Sequence, residues 1–453
     1  MKREVIFSIK LVFSGLFLLG FYGCSSIYGY KDSMDQFDNN LIINRCDYTK
    51  IDEKISKNDD VILWGIEGGS LARNCFNYKK SNELFDLAEY EYKEKVDKDS
   101  FLNNAFESTK TILVNNNINE YEGNIYEKIM VNTYKALNFA SLNDKVNARV
   151  EFNRALDRQR RAKEYFNEEI KKKEDEISND NGLNRIKNNK EVQNIVYKEF
   201  DDLFNNFKAY PDFVNPFTTY ISGIYFLLEG DSVKARDLLK ESLEMEPSNE
   251  QIKSDYELSK RYITSLKESK DNYAWIIYEN GKGMIKDEIR INIPLFLFSR
   301  NVIYSGISLP KIVERDSSYK YLVANGKEST QICNMDSVIK TEFKKRFPLI
   351  LSEALLNTIS KTVTQKQLND SSPLAGFLGV LYQSLTNRSD IRSWTALPKN
   401  FQALRVKLDS KGVEIKNNEG RIIKEVLVPK GKNALIYVKS QTIGNDVIHE
   451  ILF

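Results

Sequence analysis

Residues 215–248 read NPFTTYISGIYFLLEGDSVKARDLLKESLEMEPS, and this stretch decides how the chain is organised. Gly223 stands where a first helix needs a small residue, Phe226 follows one turn later, and Glu229-Gly230-Asp231 makes a turn. A second helix then carries Ala235, Leu239 and Ser242, and Pro247 closes it. Small residues at a helix crossing let two backbones approach closely, while Phe226 and Leu239 fill the space beside them. A hairpin of this kind buries little apolar surface alone and must stack on neighbours.

Two further segments carry the same pattern. Gly69, Ala72, Ser81, Phe85 and Ala88 occupy its positions in the first, and Ala136, Phe139, Ala148, Phe152 and Ala155 occupy them in the second. The order of small, aromatic and closing residues resembles the tetratricopeptide (TPR) repeat, which implies a helical groove that binds protein. Successive matches lie further apart than the ~34 residues of a tandem array, so extra helices belong between them. Asn104 to Asn119 and the charged run Arg158 to Lys190 are those insertions. The second of these predicts an exposed helix held by opposite charges three and four residues apart, ending at Asn179 to Gly182. Val192, Ile195, Val196, Phe200 and Leu203 then give Glu191 to Phe207 one apolar helical face. Tyr121, Tyr126, Tyr134 and Phe139 lie at helical spacing and read as core.

The amino terminus carries a different message. Lys2 and Arg3 precede an uncharged apolar run from Leu11 to Gly23, short of the about 20 residues that a membrane-spanning helix needs. Phe21-Tyr22-Gly23-Cys24-Ser25-Ser26 resembles a bacterial lipobox, in which cleavage before Cys24 leaves a lipidated cysteine. Gly23 and Cys24 match that motif, whereas Phe21 and Tyr22 are bulkier than its usual residues. The resemblance implies a signal peptide over 1–23 and an outer-membrane anchor, because Ser25 rather than Asp follows the cysteine. Residues 24–40 read as a polar tether. Export leaves two readings for the remaining cysteines: a bridge between Cys46 and Cys75, or free thiols at Cys46, Cys75 and Cys333.

Composition excludes several functions. Among 453 residues, 66 basic and 64 acidic side chains give a net charge of +2, which is no nucleic-acid footprint. A single histidine, His449, and no Cys-x-x-Cys pair argue against a zinc site, and no cofactor motif is present. His449 sits five residues from the carboxy terminus with no nucleophile motif, so the reading is non-catalytic. The sequence does not decide the oligomeric state.

Helical periodicity over 41–267 gives way to a β-rich region over 268–335. Asn272 to Tyr278, Glu288 to Ile293, Leu295 to Phe298 and Asn301 to Ser308 read as strands, with Asn280-Gly281-Lys282-Gly283 as a hairpin turn rather than a phosphate loop. A helical segment over 336–395 follows, in which Pro348 predicts either a kink or a break. Within it, Leu374 to Leu385 reads as a buried helix too short to span a membrane. Residues 396–453 predict a small antiparallel β-sandwich-like domain with strands at Ala403 to Leu408, Val413 to Lys416, Arg421 to Val428 and Ala434 to Lys439. The fold class is α+β.

Asp390-Ile-Arg392-Ser-Trp394-Thr-Ala-Leu397-Pro398, taken with Tyr278 to Gly281, Gly69 to Arg73 and Ala148 to Glu151, resembles a family of uncharacterised bacterial lipoproteins with TPR-like amino-terminal helices. That resemblance implies an envelope location, no established activity and no catalytic residues. Asp390 either pairs with Arg392 or caps the following turn, and Trp394 with Leu397 docks the helical segment of 336–395 on the terminal sheet. The functional expectation is a periplasm-facing outer-membrane lipoprotein whose helical groove binds other envelope proteins, in assembly or in cell-wall synthase regulation. A surface-exposed antigen or adhesin on the same anchor is the alternative.

Overall fold

The computed structural model describes residues 30–43, 45–92, 121–178, 189–264, 271–293, 305–371, 388–409 and 412–453. The chain is mixed α+β, with helices filling its amino-terminal half and sheets its carboxy-terminal half. Cys24, Asn104 to Asn119, Asn179 to Gly182, Leu295 to Phe298 and Leu374 to Leu385 lie outside the described residues.

Helix α1 covers 30–42, and α2 covers Thr49–Ser56. Three hairpins are formed by α3 (Val61–Asn74) with α4 (Tyr78–Glu91), α5 (Ile125–Ser141) with α6 (Lys145–Ser178), and α8 (Pro216–Leu228) with α9 (Ser232–Met245). Helix α7 (Lys190–Asn205) separates the second and third, and α10 (Glu250–Thr264) follows them.

The three hairpin turns are chemically equivalent. At their centres Phe76, Asn143 and Gly230 adopt positive φ of 57°, 59° and 85°. The N–H groups of Asn77, Asp144 and Asp231 reach back to the carbonyls of Ala72, Phe139 and Phe226, closing each first helix with a six-residue loop. The same three side chains then accept the N–H of Lys80, Asn147 and Lys234 and cap each second helix. Counting from these turns, Gly69, Ala136 and Gly223 coincide, as do Phe85, Phe152 and Leu239. Ala72, Ala88, Ala148, Ala155, Phe226 and Ala235 are fully buried, Phe139 is partly buried, and Pro247 is exposed beyond α9.

Strand β1 (Tyr273–Asn280) is the centre of the carboxy-terminal half. Strands β2 (Ile285–Ile293) and β3 (Ser305–Val313) pair only with each other. Next come β4 (Leu322–Ala324), β5 (Lys327–Glu328), β6 (Thr330–Asn334) and the long helix α11 (Met335–Ser371). The chain ends with β7 (Asn400–Lys407), β8 (Val413–Asn417), β9 (Ile422–Val426), β10 (Ala434–Ser440) and β11 (Asp446–Leu452). One sheet has the order β11-β10-β1-β7-β6, and a second has β5-β4-β8-β9.

The central sheet is buried on both faces. Trp275, Ile277, Phe401, Ala403, Leu435 and Tyr437 join the main core under the helices, while Ala274, Ile276, Tyr278, Leu404 and Val406 share a second core with Leu322, Val413 and Ile415 of the other sheet. This is why β1 reads as a nearly continuous apolar run.

Four expectations are corrected, and a fifth, the kink or break at Pro348, is decided against the break. The carboxy-terminal strands are not a self-contained antiparallel unit, because β10 pairs parallel to β1, from Ala274↔Ala434 to Asn280↔Ser440. Asn280 to Gly283 does not link a hairpin: β1 bonds β7 and β10 while β2 bonds β3, and Gly281 and Lys282 donate to the carbonyls of Ser440 and Asp316. Part of the segment read as a tether is helix α1, whose Met34, Phe37 and Leu41 are buried in the main core. The charged run from Arg158 to Ser178 continues α6 rather than forming a separate insertion. Helix α11 runs through Pro348 without ending. The bridge between Cys46 and Cys75 is formed, and it ties the link before α2 to the turn after α3; Cys333 is a buried free thiol.

Close approach in the first hairpin sets a quantitative expectation. A Cβ on Gly69 would stand 2.4 Å from the ring of Phe85, and that ring is completely buried. Helix propensity alone would reward Gly69→Ala by about 1 kcal/mol. The forced displacement of a core ring costs about 1–3 kcal/mol and outweighs it. Urea unfolding should therefore show Gly69→Ala to be less stable than the parent; equal or greater stability would contradict the tight crossing.

Candidate functional site

The first helices of all three hairpins face the carboxy-terminal half, and residues 394–396 pack against the first two of them, α3 and α5. Two buried carboxylates interrupt otherwise apolar surfaces there: Glu67 in the run VILWGIEGGSLA of α3, and Glu127 in the first turn of α5. Glu127 accepts the N–H of Asn124 at 2.7 Å, the reach-back half of a capping box, and the Tyr121 hydroxyl at 2.7 Å.

Residues 394–397 have no strand partner, yet their main-chain groups are satisfied one after another. Trp394 N–H donates to Glu127 at 3.0 Å, and the N–H groups of Thr395 and Ala396 donate to the two oxygens of Glu67 at 2.6 and 3.3 Å. Consecutive N–H groups in a turn converge on one acceptor, and the Glu67 carboxyl takes that place. The carbonyls find cations or donors: Arg315 reaches that of Thr395, Lys439 that of Ala396 at 3.3 Å, and the Gly283 N–H that of Leu397 at 2.7 Å. Main-chain groups removed from water require such pairing.

Side chains lock the same segment. The Trp394 indole N–H donates to Ser70 Oγ at 2.9 Å, and its ring stands edge-on to Phe85 and Tyr134, with centroids 5.9 and 5.7 Å away. Arg392 pairs with both Asp390 and Asp60, and Asp38 of α1 bridges Arg315 and the Thr395 hydroxyl. Asp390 thus takes the Arg392 partnership, while its carboxylate also accepts the Arg392 N–H at 2.9 Å. Leu397 is fully buried in the main core.

The electrostatics follow from desolvation. Burial pushes the Glu67 carboxyl up to about 8, opposed by the Thr395 N–H, with Asp38 adding to the rise and Arg315 lowering it. Burial likewise raises Asp60 against the pull of Arg392. Despite its burial, Asp390 is held below the ordinary carboxylate range by Arg392.

Elsewhere the two halves are joined by similar polar clusters. Asp255 of α10 receives Arg405 at 2.8 Å, Tyr220 at 2.7 Å and the Trp275 indole at 3.1 Å. Glu279 forms an ion pair with Lys439 at 2.9 Å and accepts a hydrogen bond from the Tyr437 hydroxyl at 2.6 Å. Phe217 of α8 stacks on Phe401 at 3.6 Å. His449 is buried, with Nδ1 2.8 Å from the Tyr78 hydroxyl and its ring 4.9 Å from Phe76. Burial holds its pKa well below the ordinary imidazole value, with Arg73 and Lys439 adding to the fall.

The repeat residues predicted from the sequence build the walls, with Phe85 the one that touches Trp394. Glu67, Glu127, Arg315 and Lys439 were not singled out by sequence, although a lone Glu inside an apolar helix and the Asn124-x-x-Glu127 cap were visible signals. Among the described residues, no cluster of metal-ligating side chains and no helix long and apolar enough to cross a membrane occurs. No family model, curated protein or solved structure matches this chain.

Because the folded state holds Glu67 protonated at pH values where the unfolded chain ionises, stability should fall as pH rises from 4.5 through about 8. Urea midpoints of the parent should decline over that window, and those of Glu67→Gln should decline less. Equal slopes would remove Glu67 as the cause. Trp394→Ala, by emptying its pocket, should cost about 3–5 kcal/mol in the same measurement.

Proposed function

We propose that this protein is a non-catalytic, lipid-anchored scaffold of the bacterial envelope, held at the outer membrane through Cys24 and facing the periplasm. The observation that carries the scaffold reading is the set of three equivalent hairpins, two of which grip a non-helical segment by its main chain through Glu67 and Glu127 of their first helices. Such recognition of peptide by stacked helical hairpins is what a TPR-like scaffold requires. In this chain the gripped segment is its own, residues 388–399.

The partner surface follows from that occupancy. With the inner face filled in cis, the route to other envelope proteins is the outer face formed by the second helices. Val146 and Val150 of α6 and Val233 of α9 are exposed there, at 74%, 39% and 54%. The Arg149–Asp231 ion pair and the contact from Lys234 to Asn153 hold these two helices side by side. Apolar side chains framed by charges suit a protein contact better than a small ligand. The lipobox-like stretch supports the anchor, since each buried methylene of an acyl chain contributes about 0.8 kcal/mol to membrane binding.

In-cell crosslinking of tagged parent and Cys24→Ala protein, followed by membrane separation, tests the proposal. A specific envelope partner should co-purify with the outer membrane only when Cys24 is present, and protease added to intact cells should leave the protein uncut. Identical fractionation of both forms with no retained partner would defeat the anchored scaffold, and cleavage on intact cells would favour the surface-exposed antigen or adhesin.

A further inference from the structure

A second site lies away from the clasped segment. At the carboxyl end of β1, the start of β7 and the strand β6 border a cleft of about 350 Å³, lined by Asn280, Ser317, Lys320, Tyr321, Ser329, Gln331, Lys399, Asn400 and Gln402. The cleft is shallow and open to solvent. The lining contains two lysines and no acidic residue.

Its floor is rigid. Asn400 Oδ1 accepts from Asn280 Nδ2 at 3.4 Å and from Gln402 Nε2 at 3.3 Å, while Gln402 Oε1 accepts from Ser329 Oγ at 2.6 Å. Asn280 and Gln402 are 2% and 5% exposed, so these carboxamides are held by burial as well as by hydrogen bonds. The amide orientation that spends Asn400 Oδ1 twice leaves its Nδ2 as a donor with no protein partner. Ser317 Oγ, the Gln331 carboxamide and Lys320 Nζ are also unpaired among the described residues, whereas Lys399 is spent on Asp336 at 2.8 Å. Tyr321 adds a partly exposed ring whose hydroxyl is hydrogen-bonded to Glu328, an acidic group just outside the lining.

One unspent amide donor on the fixed floor, Asn400 Nδ2, with the exposed Ser317 hydroxyl and Gln331 carboxamide at the rim and an aromatic ring beside them, suits a polyol that makes several short hydrogen bonds. An excess of unspent donors with one unpaired ammonium adds a requirement for negative charge. We infer that this cleft binds an acidic saccharide: Lys320 meets its carboxylate, Asn400 Nδ2 and Gln331 take its hydroxyl or acetamido groups, and Tyr321 lies against the sugar ring. The inference does not depend on the scaffold or its anchor.

Calorimetric titration of the full-length protein in detergent with glucuronic acid and N-acetylmuramic acid, each beside its neutral counterpart, glucose and N-acetylglucosamine, tests it. At least one acidic sugar should bind, about tenfold or more tighter than its neutral counterpart. Lys320→Glu should weaken that binding by about tenfold or more, and Lys320→Arg should largely retain it. Lys320 is exposed, so both variants should fold, which circular dichroism checks. Absence of binding up to about 10 mM of either acid, equal affinity for acidic and neutral sugars, or indifference to Lys320→Glu would each overturn the assignment.

Discussion

The structure depends on satisfying the main chain of residues 394–397 in a place that offers neither a strand neighbour nor bulk water. Each buried N–H left unpaired there would cost about 1–3 kcal/mol, and three in a row would rival the net stability of a domain. Two helical hairpins answer with carboxylates, Glu127 and Glu67, and the sheet side answers with Arg315, Lys439 and the Gly283 N–H. Donors and acceptors therefore come from both halves, so neither half completes the arrangement alone. Buried charge is expensive, and the two cations are matched: Glu279 neutralises Lys439, and Asp38 neutralises Arg315.

That clasp explains why the helical layer and the central sheet form one continuous core. Helices α3, α5 and α8 turn their inner faces toward the sheet, and Trp394 and Phe401 enter spaces beside Phe85, Tyr134 and Phe217. Equivalent turns at Phe76, Asn143 and Gly230 set the angle of each hairpin. Small residues at Gly69, Ala136 and Gly223 let the two helices of each hairpin close together. A face used by helical scaffolds to hold another protein is here committed to the chain's own segment.

Much of the helical half was legible because its signals are local. The Gly-Phe-turn-Ala-Leu spacing around Gly230 depends on residues within one hairpin, and it located all three. Asp390-x-Arg392 and Trp394 announced a joint, but Trp394 enters the amino-terminal hairpins beside Ser70, Phe85 and Tyr134 rather than docking the 336–395 segment on the terminal sheet. The bridge between Cys46 and Cys75 was one of two open readings. Glu67 was overlooked because an acidic residue in an apolar helix has no meaning until its partner is known, and that partner stands 328 positions away in Thr395.

From sequence alone came the α+β class, the hairpins and the joint, since periodicity and turn chemistry are written in residues close along the chain. Strand partnership was not. Nothing in YAWIIYEN tells that β1 will run parallel to β10 and antiparallel to β7, because pairing is chosen by which apolar faces meet after the helices have covered one side. For the same reason Met34, Phe37 and Leu41 turned a supposed tether into a packed helix. Their burial required a surface that only the assembled core provides.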